Sequence, residues 1–235
     1  MTKPISHRYA IYFAPTPQSH AWELGSQWLG RCSATSQIRD QPTIAGLTWA
    51  EFAELTRSPR RYGWHATLKA PFALAEGMSE EYLYAAIENL AKSLSAFEMP
   101  ALRVALLGDF MALTPDGDTA KLNAIADACV TELHHCAVEL GVDELQRRRI
   151  SHLTSRQDDL LVRWGYPYVF DEFRFHCSLT DSLGELSPNQ IASLEKAART
   201  TFDTLPNWQF ETLALFHEPT PGADFYLMKH FRLRA

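Results

Sequence analysis

The stretch RYGWHATLKAPF, residues 61–72, carries His65 and Thr67 two positions apart, with Leu68 next in line. It has an echo in FRFHCSLTD, residues 173–181, where His176, Ser178 and Leu179 repeat the spacing. A β-strand sends alternate side chains to opposite faces, so a histidine and a hydroxyl at i and i+2 point the same way. Ala66, Leu68, Cys177 and Leu179 then point into the opposite, apolar layer. Two such strands facing each other gather two imidazoles and two hydroxyls around one small anionic group. A single His-x-Ser/Thr arises by chance; two copies in matching strand-like settings carry the reading.

Around this pair the chain reads as α+β. HRYAIYFA, residues 7–14, is a buried strand closed by Pro15 and Pro17. Ser19 caps a helix over His20–Arg31, and residues 33–60 form a long connection with one amphipathic turn at Thr48–Leu55. The first motif strand spans Tyr62–Pro71. Ser79 opens a helix to Leu94, and a hairpin follows in Pro100–Leu107 and Phe110–Thr114. A helix over Thr119–Leu140 stops at Gly141. The second motif strand covers Glu172–Thr180, Ser187-Pro188 starts a helix to Phe202, and strands at Trp208–Phe216 and Phe225–Leu233 finish the chain. Strand, helix, motif strand, Ser-capped helix and strand pair thus occur twice. The reading is one domain over residues 1–235, with pseudo-repeats about 1–118 and 119–235 and an insertion at about 143–171.

Composition narrows the function. The 235 residues are 46% hydrophobic and 21% charged, enough to bury a sizeable core. The net charge of −6 disfavours a protein that coats extended nucleic acid, because that task needs basic surface to displace counterions. A small phosphorylated substrate in a local positive pocket remains compatible. Cys32, Cys129, Cys136 and Cys177 have neither CxxC spacing nor a disulfide-like framework. The first residues lack a secretory pattern, and no apolar run is long enough to span a bilayer. These features predict a cytoplasmic protein away from the membrane; its oligomeric state is left open.

The duplicated His-x-Thr/Ser pattern on strands of a repeated α+β lobe resembles the 2H phosphoesterase superfamily. That group includes cyclic phosphodiesterases of RNA processing and 2′-5′ RNA ligase-like proteins. RYAIYFAP, RYGWHATLKAPF and FHCSLT look more narrowly like a DUF1045-like branch found with bacterial phosphonate-utilisation genes. The resemblance implies a bilobal fold of two antiparallel sheets with helices outside. It also implies a central cleft holding both motifs, with no metal and no cofactor. Carried onto this sequence, the catalytic residues are His65, Thr67, His176 and Ser178.

Opening a cyclic phosphodiester needs a base for water and an acid for the departing oxygen, and two histidines suit both tasks. The hydroxyls supply donors to the phosphoryl oxygens. Which histidine is acid and which is base stays open at this point. Strand parity adds Lys69 and Arg174 as substrate-binding cations, and Tyr12, Arg61 and Tyr226 or Lys229 are further candidates; otherwise these are rim charges and packing residues. His134-His135-Cys136 on a helix diverge too far to hold one ion, Cys177 faces the core, and Arg147-Arg148-Arg149 reads as a solvated face. The function read is hydrolysis of a small cyclic phosphate, such as a ribose cyclic phosphate in phosphonate catabolism. The alternatives are a 2′,3′-cyclic phosphodiesterase of RNA ends and a non-catalytic phosphometabolite-binding protein.

Overall fold

The computed structural model describes residues 7–149 and 152–235. RYAIYF becomes strand β1 (Arg8–Phe13), buried on both faces. Tyr9, Ile11 and Phe13 enter the main core, while Ala10 and Tyr12 join a smaller cluster with Phe216 and Phe225 on the other face. Burial on both sides follows from its position inside a sheet. In chain order the other strands are β2 (Ala66–Phe72), β3 (Phe97–Glu98), β4 (Ala101–Leu107), β5 (Phe110–Asp116), β6 (Cys177–Ser182), β7 (Gln209–Phe210), β8 (Thr212–Glu218) and β9 (Tyr226–Arg232). Seven of these form one antiparallel sheet in the order β4-β5-β6-β2-β1-β8-β9, and β3 pairs with β7 in a small second sheet.

The fold is thus α+β, and the large sheet has a seam. β2 and β6 are joined at one registered pair, Ala66 opposite Cys177, so β4-β5-β6 and β2-β1-β8-β9 meet there. The hairpins cross over in sequence. β4–β5 lies against β6 from later in the chain, and β8–β9 lies against β1 from its beginning.

The helices are α1 (His20–Leu29), α2 (Trp49–Leu55), α3 (Arg57–Tyr62), α4 (Glu80–Ser93), α5 (Ala120–Glu132), α6 (Val142–Arg148), α7 (Ser155–Trp164) and α8 (Pro188–Phe202). Leu83 and Ile87 of α4, Leu122 and Cys129 of α5, and Leu194 and Phe202 of α8 fill the main core against the sheet. Ser19, Ser79 and Ser187 accept hydrogen bonds from backbone N–H groups of their first helical turns, as their positions predict. Among the described residues no helix is long and apolar enough to cross a membrane.

Three local expectations are corrected. The first motif strand begins at Ala66, not Tyr62, because Arg57–Tyr62 is helical. Pro59 is tolerated in that helix's first turn, and Gly63 ends it with a φ of 84°. The helix predicted to reach Leu140 ends at Glu132 and passes into a 3₁₀ turn at His134–Cys136. There the backbone is captured by the chain beyond β2: Ala75 N–H donates to the Cys136 carbonyl and Val138 N–H to the Ala73 carbonyl. Gly141 caps the start of α6 instead. The second motif strand begins at Cys177, after a 3₁₀ turn at Phe170–Glu172. Both histidines therefore stand one residue before their strands.

Candidate active site

The seam places the two motifs together. One residue to either side of the Ala66–Cys177 pair, antiparallel alignment sets His65 opposite Ser178 and Thr67 opposite His176. Directly opposed residues share a face with Cβ atoms about 5 Å apart. Ala66 and Cys177 are fully buried on the core side, while the four motif residues are half-exposed on the other. Each histidine is thus flanked by its own hydroxyl along the strand and by the other motif's hydroxyl across it.

Both imidazoles are anchored in the same way. His65 Nδ1–H donates to the Gly63 carbonyl at 2.8 Å, and His176 Nδ1–H donates to the Arg174 carbonyl at 2.8 Å. In each case the acceptor lies two residues back. A carbonyl only accepts, so Nδ1 carries the hydrogen and the Nε2 lone pair is left for chemistry. Thr67 Oγ1 stands 3.2 Å from His65 Nε2 and donates to it.

The site opens into two adjoining cavities. His65, Thr67 and Ser178 line one of about 470 Å³ with Tyr12, Tyr62, Phe110 and Tyr166. His176 and Thr67 line another of about 450 Å³ with Phe110, Tyr166, Tyr168 and Arg174. Thr67, Phe110 and Tyr166 belong to both walls, so the two are ends of one cleft. Tyr12 pairs with Thr67 across β1 and β2 and stacks on His65, with ring centroids 3.8 Å apart. Its hydroxyl is buried without a hydrogen-bond partner, leaving a donor beside the imidazole.

Burial sets the charge state of the pair. Desolvation pushes His65 down to about 4; the Gly63 carbonyl opposes the shift, and a proton on His176 adds to it. His176 is also lowered by desolvation, against the pull of the Arg174 carbonyl. At neutral pH His65 is therefore neutral, with an Nε2 able to take a proton. The Tyr12 phenol is pushed well above its ordinary range by burial and stays a donor.

The remaining candidates separate. Arg174 is exposed at the mouth beside His176, held by the Asp171 and Phe173 carbonyls. Lys69 does not share the motif face. A register shift sets Ile11 opposite Lys69 and Tyr12 opposite Thr67, so one extra residue of β2 turns Lys69 toward α5. There its ammonium donates to the Val130 carbonyl at 3.4 Å. Arg61 lines neither end of the cleft: with Arg8 it grips the buried Glu218, and it donates to the Gly222 and Ala223 carbonyls of the β8–β9 turn. Tyr226 lies beneath Arg31, and Lys229 lies near Glu88 and over the Phe231 ring. Cys177 sits in the core. Sequence reasoning missed Tyr166, which walls both ends of the cleft from within the segment read as an insertion. The aromatic run Trp164-Gly165-Tyr166-Pro167-Tyr168, shortly before His176, was its signal.

A family model described as a protein of unknown function, DUF1045, matches residues 67–226. The chain belongs to this family. The DUF1045 match includes Thr67, His176 and Ser178, and His65 stands two residues before it. A protein of Janthinobacterium sp. (strain Marseille) named ribose 1,5-bisphosphate phosphokinase PhnN is 38% identical over 222 residues, 93% of this chain and 49% of that protein. One of the same name from Laribacter hongkongensis (strain HLHK9) is 39% identical over 223 residues, 94% of this chain and 51% of its own. This DUF1045 chain spans about half the length of the curated relatives it matches. A solved structure described as a phosphoesterase aligns over 97% of this chain and 99% of its own, at 12% identity and a TM-score of 0.39.

Proposed function

We propose that this chain is a metal-independent phosphodiesterase of the 2H type, opening a small cyclic phosphate by acid–base catalysis between His65 and His176. The observation that carries the reading is the paired geometry across the seam. Two histidines are anchored alike through Nδ1, and each stands opposite the other motif's hydroxyl. His65, neutral and accepting from Thr67, is the base; His176 is the acid in its imidazolium form, which keeps the Nδ1 hydrogen on the Arg174 carbonyl and carries a second hydrogen on Nε2. Water attacks phosphorus and gives its proton to His65 Nε2. The ring P–O bond breaks, and the departing oxygen takes a proton from His176 Nε2, leaving a phosphomonoester and a free hydroxyl. As His65 Nε2 takes the water's proton, Thr67 turns its single hydroxyl hydrogen from the ring to the phosphoryl oxygens, where Ser178 and the unpartnered Tyr12 hydroxyl also donate as charge builds.

A small substrate is favoured over a long one. Asp109 and Asp181 also line the His65 end and repel a polyanion. The names of the two relatives support a phosphorylated ribose, and hence a ribose cyclic phosphate. Among the described residues no three His, Cys, Asp or Glu side chains are grouped to hold a metal ion. The test is a screen of cyclic phosphates followed by phosphorus NMR. His65→Ala and His176→Ala should each lose about 10²–10⁴-fold in kcat while keeping the wild-type fold. Near wild-type kcat in either variant overturns the mechanism, as does activity lost to EDTA and restored by one divalent ion. Faster turnover of RNA ends would move the substrate to RNA, and binding without turnover of any substrate would make this a phosphometabolite-binding protein.

A further inference from the structure

A third cavity, of about 380 Å³, lies beyond Ala70, Pro71 and Tyr166, residues that also wall the cleft. Its charge runs against that of the chain. Five cations, Arg8, Lys69, Arg147, Arg148 and Arg163, meet two carboxylates, Glu139 and Glu144, leaving a formal +3 in a protein of net charge −6. Arg8 is committed to Glu218, and Arg147 and Arg148 to Glu144. Lys69 and Arg163 have no carboxylate partner among the described residues.

Lys69 is the anomaly. It is 4% exposed, yet its ammonium makes one long hydrogen bond, to the Val130 carbonyl at 3.4 Å. An ammonium has three donors; this one also lies over the Phe72 ring, 5.3 Å from its centroid, yet it meets no counter-charge, and burying a charge that way is costly. Desolvation lowers it to about 8, so the site holds a cation under strain from lost water. His134 lines the same space with a buried Nδ1 that has no partner. An apolar side chain would pack against Val130 and Phe72 more cheaply than this lysine. A dianion in the cavity would supply the missing partner and accept from the idle donors.

We propose that this cavity is a second anion site, taking a phosphomonoester group with Lys69 at its base and Arg163 at its rim. Ala70, Pro71 and Tyr166 are walls common to this cavity and the cleft, so the two spaces adjoin there and a small sugar has one of them on either side. With the cleft read as a cyclic-phosphate site, the substrate class becomes a sugar with a cyclic phosphate at one end and a phosphomonoester at the other. Only this last step rests on that reading; the anion site itself does not.

The experiment is calorimetric titration with ribose 5-phosphate, inorganic phosphate and ribose. Ribose 5-phosphate and phosphate should bind the wild-type protein and the His65→Ala/His176→Ala double variant alike, and ribose should not bind. Lys69→Met should weaken binding at least tenfold, and Arg163→Gln, at an exposed position, severalfold without loss of thermal stability. If Lys69→Met does not fold, Arg163→Gln decides, with Trp164 fluorescence against a Trp164→Phe control reporting occupancy. Unchanged affinity in Arg163→Gln together with unchanged affinity in a folded Lys69→Met overturns the site. Binding lost in the double histidine variant but kept in Lys69→Met places the phosphate in the cleft and also overturns it. Lys69-dependent phosphate binding without turnover of any cyclic phosphate would sink the catalytic reading and leave this site standing.

Discussion

Replacing Gly63 by alanine tests how the fold aims His65. Gly63 has φ 84° and ψ 177°, a region open essentially to glycine alone, and its carbonyl anchors His65 Nδ1. Forcing a side chain into such a conformation costs about 1–3 kcal/mol. A Cβ there would also lie 2.6 Å from both Cβ and Oγ of the buried Ser33. Overpacking of that kind costs about another 1–3 kcal/mol. The sum, about 2–6 kcal/mol, corresponds to a fall in Tm of roughly 5–20 °C for a chain of this size. Urea and thermal unfolding measure it. A double-mutant cycle divides it: in a Ser33→Gly background the steric share disappears and the backbone share of about 1–3 kcal/mol remains. The His65 ring, followed by its imidazole ¹⁵N resonances, should lose its fixed tautomer as the carbonyl moves. A cost below about 0.5 kcal/mol in both backgrounds, or an unchanged His65 tautomer, would refute the account of Gly63 as the anchor.

The other predictions concern charge and catalysis. His65 has a folded value of about 4 against an ordinary 6.5, so the stability tied to its neutral form is complete above about pH 6.5 and is lost as pH falls through about 4. At 1.36 kcal/mol per unit this is at most about 3 kcal/mol, less because the ring borders the open cleft; His65→Asn should flatten the urea midpoint over that window, and an unchanged slope contradicts it. Thr67→Val and Ser178→Ala should lower kcat by roughly 10–10³-fold each with a smaller change in KM and no move in the pH optimum; wild-type kinetics in both would mean the hydroxyls face away from the substrate. Glu218→Gln should cost about 3–5 kcal/mol by stranding Arg8 and Arg61, whereas Arg61→Gln, which leaves the Arg8 pair, should cost less and keep kcat. Lost turnover in a folded Arg61→Gln protein would return Arg61 to the substrate.

The motif residues were legible because the alternation of a strand needs only local spacing: His65 with Thr67 and His176 with Ser178 follow from period two. Their mutual opposition was not, since Ala66 meets Cys177 through pairing between distant segments that no local pattern encodes. Lys69 shows where parity fails. One extra residue between Thr67 and Lys69 reverses its face, and nothing in the sequence WHATLKAPF marks the bulge. The helix at Arg57–Tyr62 had readable signals, Pro59 in its first turn and Gly63 at its end, that the aromatic residues of the motif outweighed. Gly141 was read as a stop when it serves as a start, because capture of Cys136 and Val138 by the chain after β2 had already ended the helix.

The crossing of the hairpins governs the order in which this protein can be made. As the chain emerges from the ribosome, β1 and β2 can pair early, and so can β4 and β5. β2 and β5 find their second neighbour only when β6 is synthesised, and β1 only when β8 follows, while β4 stays at the sheet edge. Arg8 waits across 210 residues for the carboxylate of Glu218. Closing so long a loop adds little entropy beyond that of a moderate one, since the cost grows only logarithmically. The heavier burden is kinetic, because hydrophobic strands stand with open edges during the wait. Release of β6 joins β5 to β2 and makes the seam where the two histidines meet, and the later release of β8 covers the edge that β1 still presents.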